Sequence, residues 1–340
     1  MKSCTTSSVL GGKNRLRSKM RCLVTGASGH VGAFLTKALL VRGCEVAVLV
    51  RPESDLWRIA DVLDRVTPLY GALGDLSAAR ASLREWQAET VFHLAWQGVM
   101  GAFRNDPSQI TRNVSGSLEL FQSVQEAGCR CWVGVGSQAE YGAFEGLLTE
   151  GQPTRPVTAY GVAKLALGML TEKLCAMADV RFVWLRLLAT YGPMDDLGHL
   201  IPGVIAQLLE GRRPALTPGE QRWDYLYVDD AVDAVCRLVL GTDAAGIYNL
   251  GSGRAYTVRS LVETVRDLID PSLALGFGDV PYRPDQVMRL QADVTKLRAA
   301  TGWDPQVGIE EGLRRTVEWH RRKEAPRPFS QGPEDLGSSE

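Results

Sequence analysis

The chain contains no apolar run of the ~18 residues that a spanning helix requires, so a transmembrane protein is not expected. It also lacks charge of one sign: 38 Lys and Arg stand against 39 Asp and Glu, for a net charge of −1. That balance gives no reason to expect nucleic acid or an anionic membrane as a partner. Cysteine is scarce and odd in number, seven in all, and lies mostly within predicted strands and helices. Buried reduced thiols in a cytoplasmic protein are expected, and not a disulfide framework. Cys129 and Cys131 are close neighbours with no second cluster, so no metal site is predicted. The first nineteen residues lack the apolar core of a secretory signal and read as a disordered extension, with Met20 a candidate start. Arg321 to Glu340 has no periodicity and reads as a loose tail. No internal repeat is evident. Of the 340 residues 45% are hydrophobic and 23% charged, which suits one or two soluble domains with a substantial core.

Glycine is where the sequence becomes informative. Arg21 to Thr25 reads as a short apolar strand that runs into Gly26-Ala-Ser28-Gly29-His30-Val31-Gly32, after which Phe34, Leu35, Ala38 and Leu39 recur at helical spacing. In such a strand–turn–helix, Gly26 permits the tight turn, Gly29 lets backbone approach a pyrophosphate, and Gly32 lets helix and strand pack closely. The helix N-terminus offers free N–H groups and the positive end of a dipole. A second strand, Glu45 to Val50, ends at Arg51. An acid at that point holds a ribose 2′-hydroxyl and an arginine accommodates a 2′-phosphate, so Arg51 favours NADP over NAD, with Glu53 a rival acid.

Further strands are predicted at Val66 to Tyr70, Val91 to Leu94, Cys131 to Gly136 and Val180 to Leu188, with helical periodicity near 77–87, 108–127 and 160–178. The alternation predicts an α/β fold, a doubly wound parallel Rossmann sheet over 20–188, to which strands near 221–250 are added. From 189 to 320, Gly and Pro become frequent, and helices near 201–211, 229–240, 257–269 and 309–322 predict a smaller, partly interleaved α+β substrate lobe. Ligands of such sheets bind at the carboxyl ends of the strands, where Asp75-Leu76, His93-Leu94-Ala95-Trp96 and Ser137 fall.

Tyr160 and Lys164, four residues apart, share a helical face. A cation beside a phenol lowers its pKa and makes the hydroxyl a usable acid or base at neutral pH.

With these motifs in hand, residues 20–320 resemble the extended short-chain dehydrogenase/reductase family. Thr25-Gly-Ala-Ser-Gly-His-Val-Gly32 is similar to its dinucleotide turn, Gly74-Asp75-Leu76 to its adenine contact, His93-Leu-Ala95 to its fourth-strand motif, and Pro156 to Lys164 to its active-site helix. Arg186, Tyr191-Gly-Pro193, Asp224 to Asp230, Asn249 to Gly253, Arg283-Pro-Asp285 and Gly302-Trp303-x-Pro305 continue in the family's order. The resemblance implies a nucleotide-sugar enzyme with a catalytic set of Ser137, Tyr160 and Lys164. Ser137 would hydrogen-bond the reacting oxygen, Tyr160 would protonate it, and Lys164 would hold the nicotinamide ribose. It also implies cofactor contacts at Gly26, Ser28, Gly29, His30, Val31, Arg51, Asp75, Leu76, Leu94 and Ala95, and substrate contacts at Trp96, Gln138, Arg222 and Arg283.

Departures from the family's pattern narrow the reaction. The Asp-Glu pair that follows the catalytic hydroxyl residue in the 4,6-dehydratases is Gln138-Ala139 here, so dehydration is not expected. Glu140 comes one position late, as a further candidate for substrate contact. Ala189 and Trp223 stand where many members carry an Asn and an Arg that grip the diphosphate, with Arg222 displaced by one. The expectation is an NADPH-dependent ketoreductase of a nucleotide-linked 4-keto-6-deoxyhexose. Its rivals are a 4-epimerase with tightly bound NAD, a reductase of a non-sugar carbonyl, and a non-catalytic dinucleotide sensor. A homodimer is implied through the helices at 108–127 and 160–178, with Leu118, Leu120, Phe121, Leu165, Leu167 and Leu170 as candidate contacts; packing on their own sheet is the alternative.

Overall fold

The computed structural model describes residues 19–322, apart from Met100, Glu145, Pro284 and Asp285. The expected extension and tail lie outside the described residues, except for Lys19 and for Arg321 and Arg322, which close the last helix and its cap. Pro284 and Asp285 of the Arg283-Pro-Asp motif lie outside them too.

The first half alternates strand and helix: β1 (Arg21–Thr25), α1 (His30–Val41), β2 (Glu45–Val50), β3 (Val66–Tyr70), α2 (Arg80–Trp86), β4 (Thr90–His93), α3 (Ser115–Glu126), β5 (Cys131–Ser137), α4 (Ala159–Ala178) and β6 (Arg181–Leu187). The second half holds β7 (Ala189–Tyr191), α5 (Leu200–Leu209), β8 (Ala215–Leu216), β9 (Arg222–Tyr227), α6 (Val228–Gly241), β10 (Gly246–Leu250), β11 (Ala255–Thr257), α7 (Val258–Ile269), β12 (Gly276–Phe277), β13 (Arg289–Leu290), α8 (Thr295–Thr301) and α9 (Ile309–Arg321). Seven strands form one parallel sheet in the order β10-β6-β5-β4-β1-β2-β3. That is the doubly wound Rossmann order with one strand added beyond β6. Of the two later strands predicted to join it, β10 does. β9 instead lies at the centre of a small second sheet with β7, β11 and β13.

The strands are apolar along nearly their whole length because both faces of the sheet are covered. Alternate residues serve opposite faces: Cys22, Val24, Val46, Val48 and Val50 pack with Leu35 and Leu39 of α1 and Val232 and Val235 of α6. Leu23, Ala47 and Leu49 pack with Leu120 and Phe121 of α3 and Leu167 of α4. Three glycines make room for one large side chain. A Cβ on Gly134, Gly136 or Gly168 would come within 2.3, 2.3 and 2.9 Å of Trp184, whose ring lies fully buried between β5 and α4. Trp184→Ala would therefore leave a large void, at a cost of ~3–5 kcal/mol.

Two predicted elements differ in detail. The helical pattern at 108–127 divides into a π-helical turn, Gln109–Val114, followed by α3. A 3₁₀ segment over Trp57–Arg65, which no pattern announced, packs on α1 through Ile59 and Val62.

Candidate active site

The glycine turn has the geometry a pyrophosphate requires. Gly26 has φ +76°, a conformation side chains rarely adopt, and a Cβ there would lie 2.8 Å from the backbone nitrogen of Ala95. Gly32 has no room at all, since a Cβ would lie 2.0 Å from the Gly26 carbonyl oxygen. Gly29 is exposed at the N-cap of α1, and no side chain caps the helix. Its first N–H groups and dipole are thus left for an anionic ligand. These features fit a dinucleotide, so the residues present suit the cofactor class that the motif implies. Ser28 and Val31 are half-buried on the turn, and the Ser28 carbonyl accepts a hydrogen bond from Arg58 at 3.0 Å. Arg58 also donates to the Met194 carbonyl at 2.8 Å, which ties the turn to the second half of the chain. His30 is directed to a protein partner, its Nδ1 3.3 Å from the buried carboxylate of Asp195, which also bonds His199 at 2.8 Å.

Other predicted cofactor contacts fare unequally. Arg51 is half exposed at the end of β2, with its Nε 3.4 Å from the Glu53 carboxylate, so the arginine and its rival acid are neighbours. Asp75 is exposed, and its carboxylate accepts from the backbone N–H and hydroxyl of Ser77 at 3.2 and 2.6 Å; those bonds lower its pKa. Leu76 is fully buried with Leu49 and Ala79, so its side chain belongs to the core and not to the site surface.

The end of β4 is held by a chain of buried polar groups. Thr25 Oγ1 lies 2.9 Å from His93 Nδ1, and His93 Nε2 lies 2.8 Å from the Ser117 hydroxyl. Burial, with a smaller push from Lys164, lowers the His93 pKa to about 3, so the imidazole is neutral. Leu94 and Ala95 follow half-buried, their backbone N–H groups donating to the carbonyl and hydroxyl of Thr25. The loop beyond is clamped from the π-helical turn by Gln109 and Asn113, both buried. Gln109 accepts from the Trp96 indole at 2.7 Å and donates to the carbonyls of Gly98 and Phe103 at 2.7 and 2.8 Å. Asn113 accepts from the backbone N–H of Gln97 at 2.9 Å and donates to its carbonyl at 3.0 Å. No sequence pattern singled out either residue, because their partners lie in a separate loop.

At the end of β5 the expected catalytic residues gather. Ser137 accepts from the Ala139 N–H at 3.1 Å, and its hydroxyl acts to lower the pKa of the Tyr160 phenol. Thr158 caps α4 by accepting from the Gly161 N–H at 3.1 Å, which starts the helix just before Tyr160. Lys164 is buried, 4% exposed, with its ammonium donating to the Val135 carbonyl at 2.7 Å and lying 3.8 Å from the centre of the Trp96 ring. Burial lowers its pKa to about 7, opposed by the charge of Glu140. The phenol does not follow expectation. Burial pushes Tyr160 above its ordinary range, while Ser137 and Arg104 pull it down. Lys164 stands 6.0 Å from the phenol ring and Arg104 only 4.9 Å, so the nearer cation is the arginine. Trp96 also meets Tyr160 edge-on at 6.1 Å, as a wall of the site.

Glu140 is not at the substrate side. It is 1% exposed and bonds Arg186 at 2.8 Å, the Trp184 indole at 3.0 Å and the Ser137 N–H at 2.8 Å. Its role is to anchor the turn that carries Ser137. Gln138 beside it is half-buried. The second half supplies structural carboxylates: Asp224 accepts from the N–H groups of Ser252, Gly253 and Ala292 and from the Ser252 hydroxyl, and Asp230 accepts from those of Gln306 and Val307. Arg222 and Arg283 are exposed, and Arg222 donates to the Ala255 carbonyl at 3.1 Å. Neither is joined to the Ser137–Tyr160 cluster by a contact among the described residues. The Trp223 indole is taken up by the Val287 carbonyl at 2.8 Å.

Comparison with known proteins agrees with this geometry. The profile of the NAD dependent epimerase/dehydratase family matches residues 22–251. A UDP-glucose 4-epimerase of Mycolicibacterium smegmatis is 30% identical over 318 residues, covering 89% of this chain and 99% of its own. A dTDP-glucose 4,6-dehydratase of Streptomyces niveus is 27% identical, covering 90% of this chain and 94% of its own. Among solved structures, the Thermus thermophilus UDP-glucose 4-epimerase in complex with NAD superposes with a TM-score of 0.79 at 29% identity, over 89% of this chain and 99% of that one. The chain therefore belongs to the NAD dependent epimerase/dehydratase family, enzymes of the extended short-chain dehydrogenase/reductase group that work with a nicotinamide dinucleotide.

Proposed function

We propose that this enzyme is an NADPH-dependent ketoreductase acting on a nucleotide-linked 4-keto-6-deoxyhexose. The observation that carries the proposal is a Tyr160 phenol that burial keeps protonated and that the Ser137 hydroxyl acts upon, with no carboxylate at positions 138 and 139. A protonated phenol beside a hydroxyl is equipped to donate to a ketone oxygen. Without the acid pair, elimination of water has no base. When bound, the nicotinamide cofactor supplies the hydride. The chain's own residues do the rest: Ser137 orients the carbonyl oxygen, Tyr160 delivers the proton from its hydroxyl, and Lys164, neutralised or charged near pH 7, stands ready for the ribose hydroxyls. Trp96 walls the sugar side. Arg222 and Arg283 are proposed to meet the diphosphate. Arg51 supports NADP, since its guanidinium is half exposed at the end of β2. The test is loss of NADPH absorbance on mixing the purified protein with several nucleotide-linked 4-keto-6-deoxyhexoses; silence across all of them sinks the proposal.

A second reading is a nucleotide-sugar 4-epimerase with retained NAD. It is favoured by the Arg51–Glu53 pair, which leaves an acid near the 2′ position, and by relatives with that activity. Heat release of the cofactor from purified protein separates the two. Stoichiometric NAD favours the epimerase, whereas an empty protein that binds NADP favours the reductase.

We also propose a homodimer formed through α4. Val162, Met169, Leu170 and Met177 are exposed and recur seven and eight residues apart, on one helix face. Of the contacts expected from sequence, Leu170 remains available, while Leu120, Phe121 and Leu167 pack in the chain's own core. Sedimentation should give a dimer at micromolar concentration and a monomer for Leu170→Lys; a monomeric wild type rejects it.

A further inference from the structure

Arg104 belongs to none of the motifs that the sequence singled out. It lies in a short 3₁₀ turn, Gly101–Asn105, that Gln109 grips at the Phe103 carbonyl. Asn105 fastens the same turn to the catalytic helix by accepting from the Ala159 N–H at 3.1 Å. The turn is therefore attached on both sides of Arg104. Its half-buried guanidinium lies 4.9 Å from the centre of the Tyr160 ring and forms no ion pair among the described residues. Most other arginines near a functional group here are taken up: Arg186 by Glu140, and Arg58 by two carbonyls. Lys164, by contrast, is turned to the Val135 carbonyl and the Trp96 ring.

We propose that Arg104 is a positioning residue for proton transfer: its guanidinium, stacked on the Tyr160 ring, fixes the phenol against Ser137 and stabilises the negative charge left on the phenol oxygen when the proton departs. A cation over an aromatic face is attracted by the ring's quadrupole, and the attraction grows once the ring carries a negative charge. The proton passes from the Tyr160 hydroxyl to the substrate oxygen, and the charge that remains is shared with the guanidinium until solvent restores the proton. The idea rests on the reaction proposed above only for the identity of the acceptor. It adds a second cation, from a loop remote in sequence, to the pair that the helix spacing announced. The influence of Arg104 on the titration of Tyr160 agrees with it, although other groups face the phenol as well: Ser137, Glu140, Lys164 and the Trp96 ring.

The experiment is a pH titration of near-ultraviolet phenolate absorbance on the NADP-bound protein, with the same curve for Tyr160→Phe subtracted to isolate one phenol. Arg104→Met should raise the Tyr160 midpoint by about one pH unit, a tenfold drop in phenolate at fixed pH, and Arg104→Lys should recover most of it. Melting temperatures of the variants verify that they are folded. A midpoint unchanged in Arg104→Met overturns the proposal, as does a shift that Arg104→Lys fails to recover. Because no sugar substrate is used, a moved midpoint together with absent ketoreduction would indict the reaction assignment and leave Arg104's role standing.

Discussion

Lys164 and Asp224 are both buried and ionisable, yet their surroundings differ in kind. The ammonium has one hydrogen-bond acceptor, the Val135 carbonyl, and an indole face. The carboxylate of Asp224 receives three backbone N–H groups and a hydroxyl. The first region leaves donor capacity unused at a crevice, and the second uses up every lone pair to tie together the loops at Gly251–Gly253 and Ala292. A buried charge with spare valence is poised for a ligand, whereas a saturated one is scaffold. The same contrast separates Tyr160 from Glu140: one keeps a proton to give, the other has its oxygens engaged by Arg186, Trp184 and the Ser137 N–H.

Substitutions can break or sharpen that contrast, beginning with the largest effect. Tyr160→Phe should lower turnover by ~10³-fold while leaving the melting temperature within about two degrees, because the ring's packing is kept and only the proton is lost. A loss below tenfold would mean that the phenol is scaffold after all. Asp224→Ala should do the reverse, removing about 3 kcal/mol of stability in chemical denaturation because several buried N–H groups lose their acceptor.

Lys164→Met sharpens the comparison through pH. The folded-state pKa of about 7 lies below the ordinary 10.5, so the unfolded chain binds the extra proton between those values and stability rises with pH across that window. The full penalty is present below pH 7. Without ligand, Lys164→Met should therefore exceed the wild type by about 2 kcal/mol near pH 6, and the advantage should vanish above about pH 10.5, although turnover falls. A constant difference at all pH values would show that the ammonium is not penalised by burial. The smallest effect is expected for Gln109→Ala, which frees the Trp96 loop: a loss of about 1–2 kcal/mol and a roughly tenfold drop in kcat/KM, read by thermal unfolding and steady-state kinetics.

Legibility followed the range of the interactions. The strand–turn–helix at Arg21–Val41 was readable because each glycine answers to steric demands set by near neighbours, such as Gly32 against Gly26. The Tyr160–Lys164 face was readable because helical spacing is local. The burial of the Leu76 side chain was not readable, because its partner Leu49 lies on another element and the aliphatic core claimed it. Glu140 misled because its partners, Arg186 and Trp184, lie on a neighbouring strand. β9 went to a second sheet because β7, β11 and β13 supplied its partners, and strand pairing is not encoded in a single strand.

By itself the sequence determined the parallel sheet, the glycine turn and the shared helical face of Tyr160 and Lys164, because periodicity, glycine sterics and i,i+4 spacing act over a few residues. Only the tertiary structure decided which cation lies nearer the Tyr160 ring, which carboxylates are saturated, and that Gln109 and Asn113 hold the Trp96 loop beside the helix that carries Tyr160. Those outcomes depend on burial and on partners many residues away, and desolvation arises only once the chain has closed around the group.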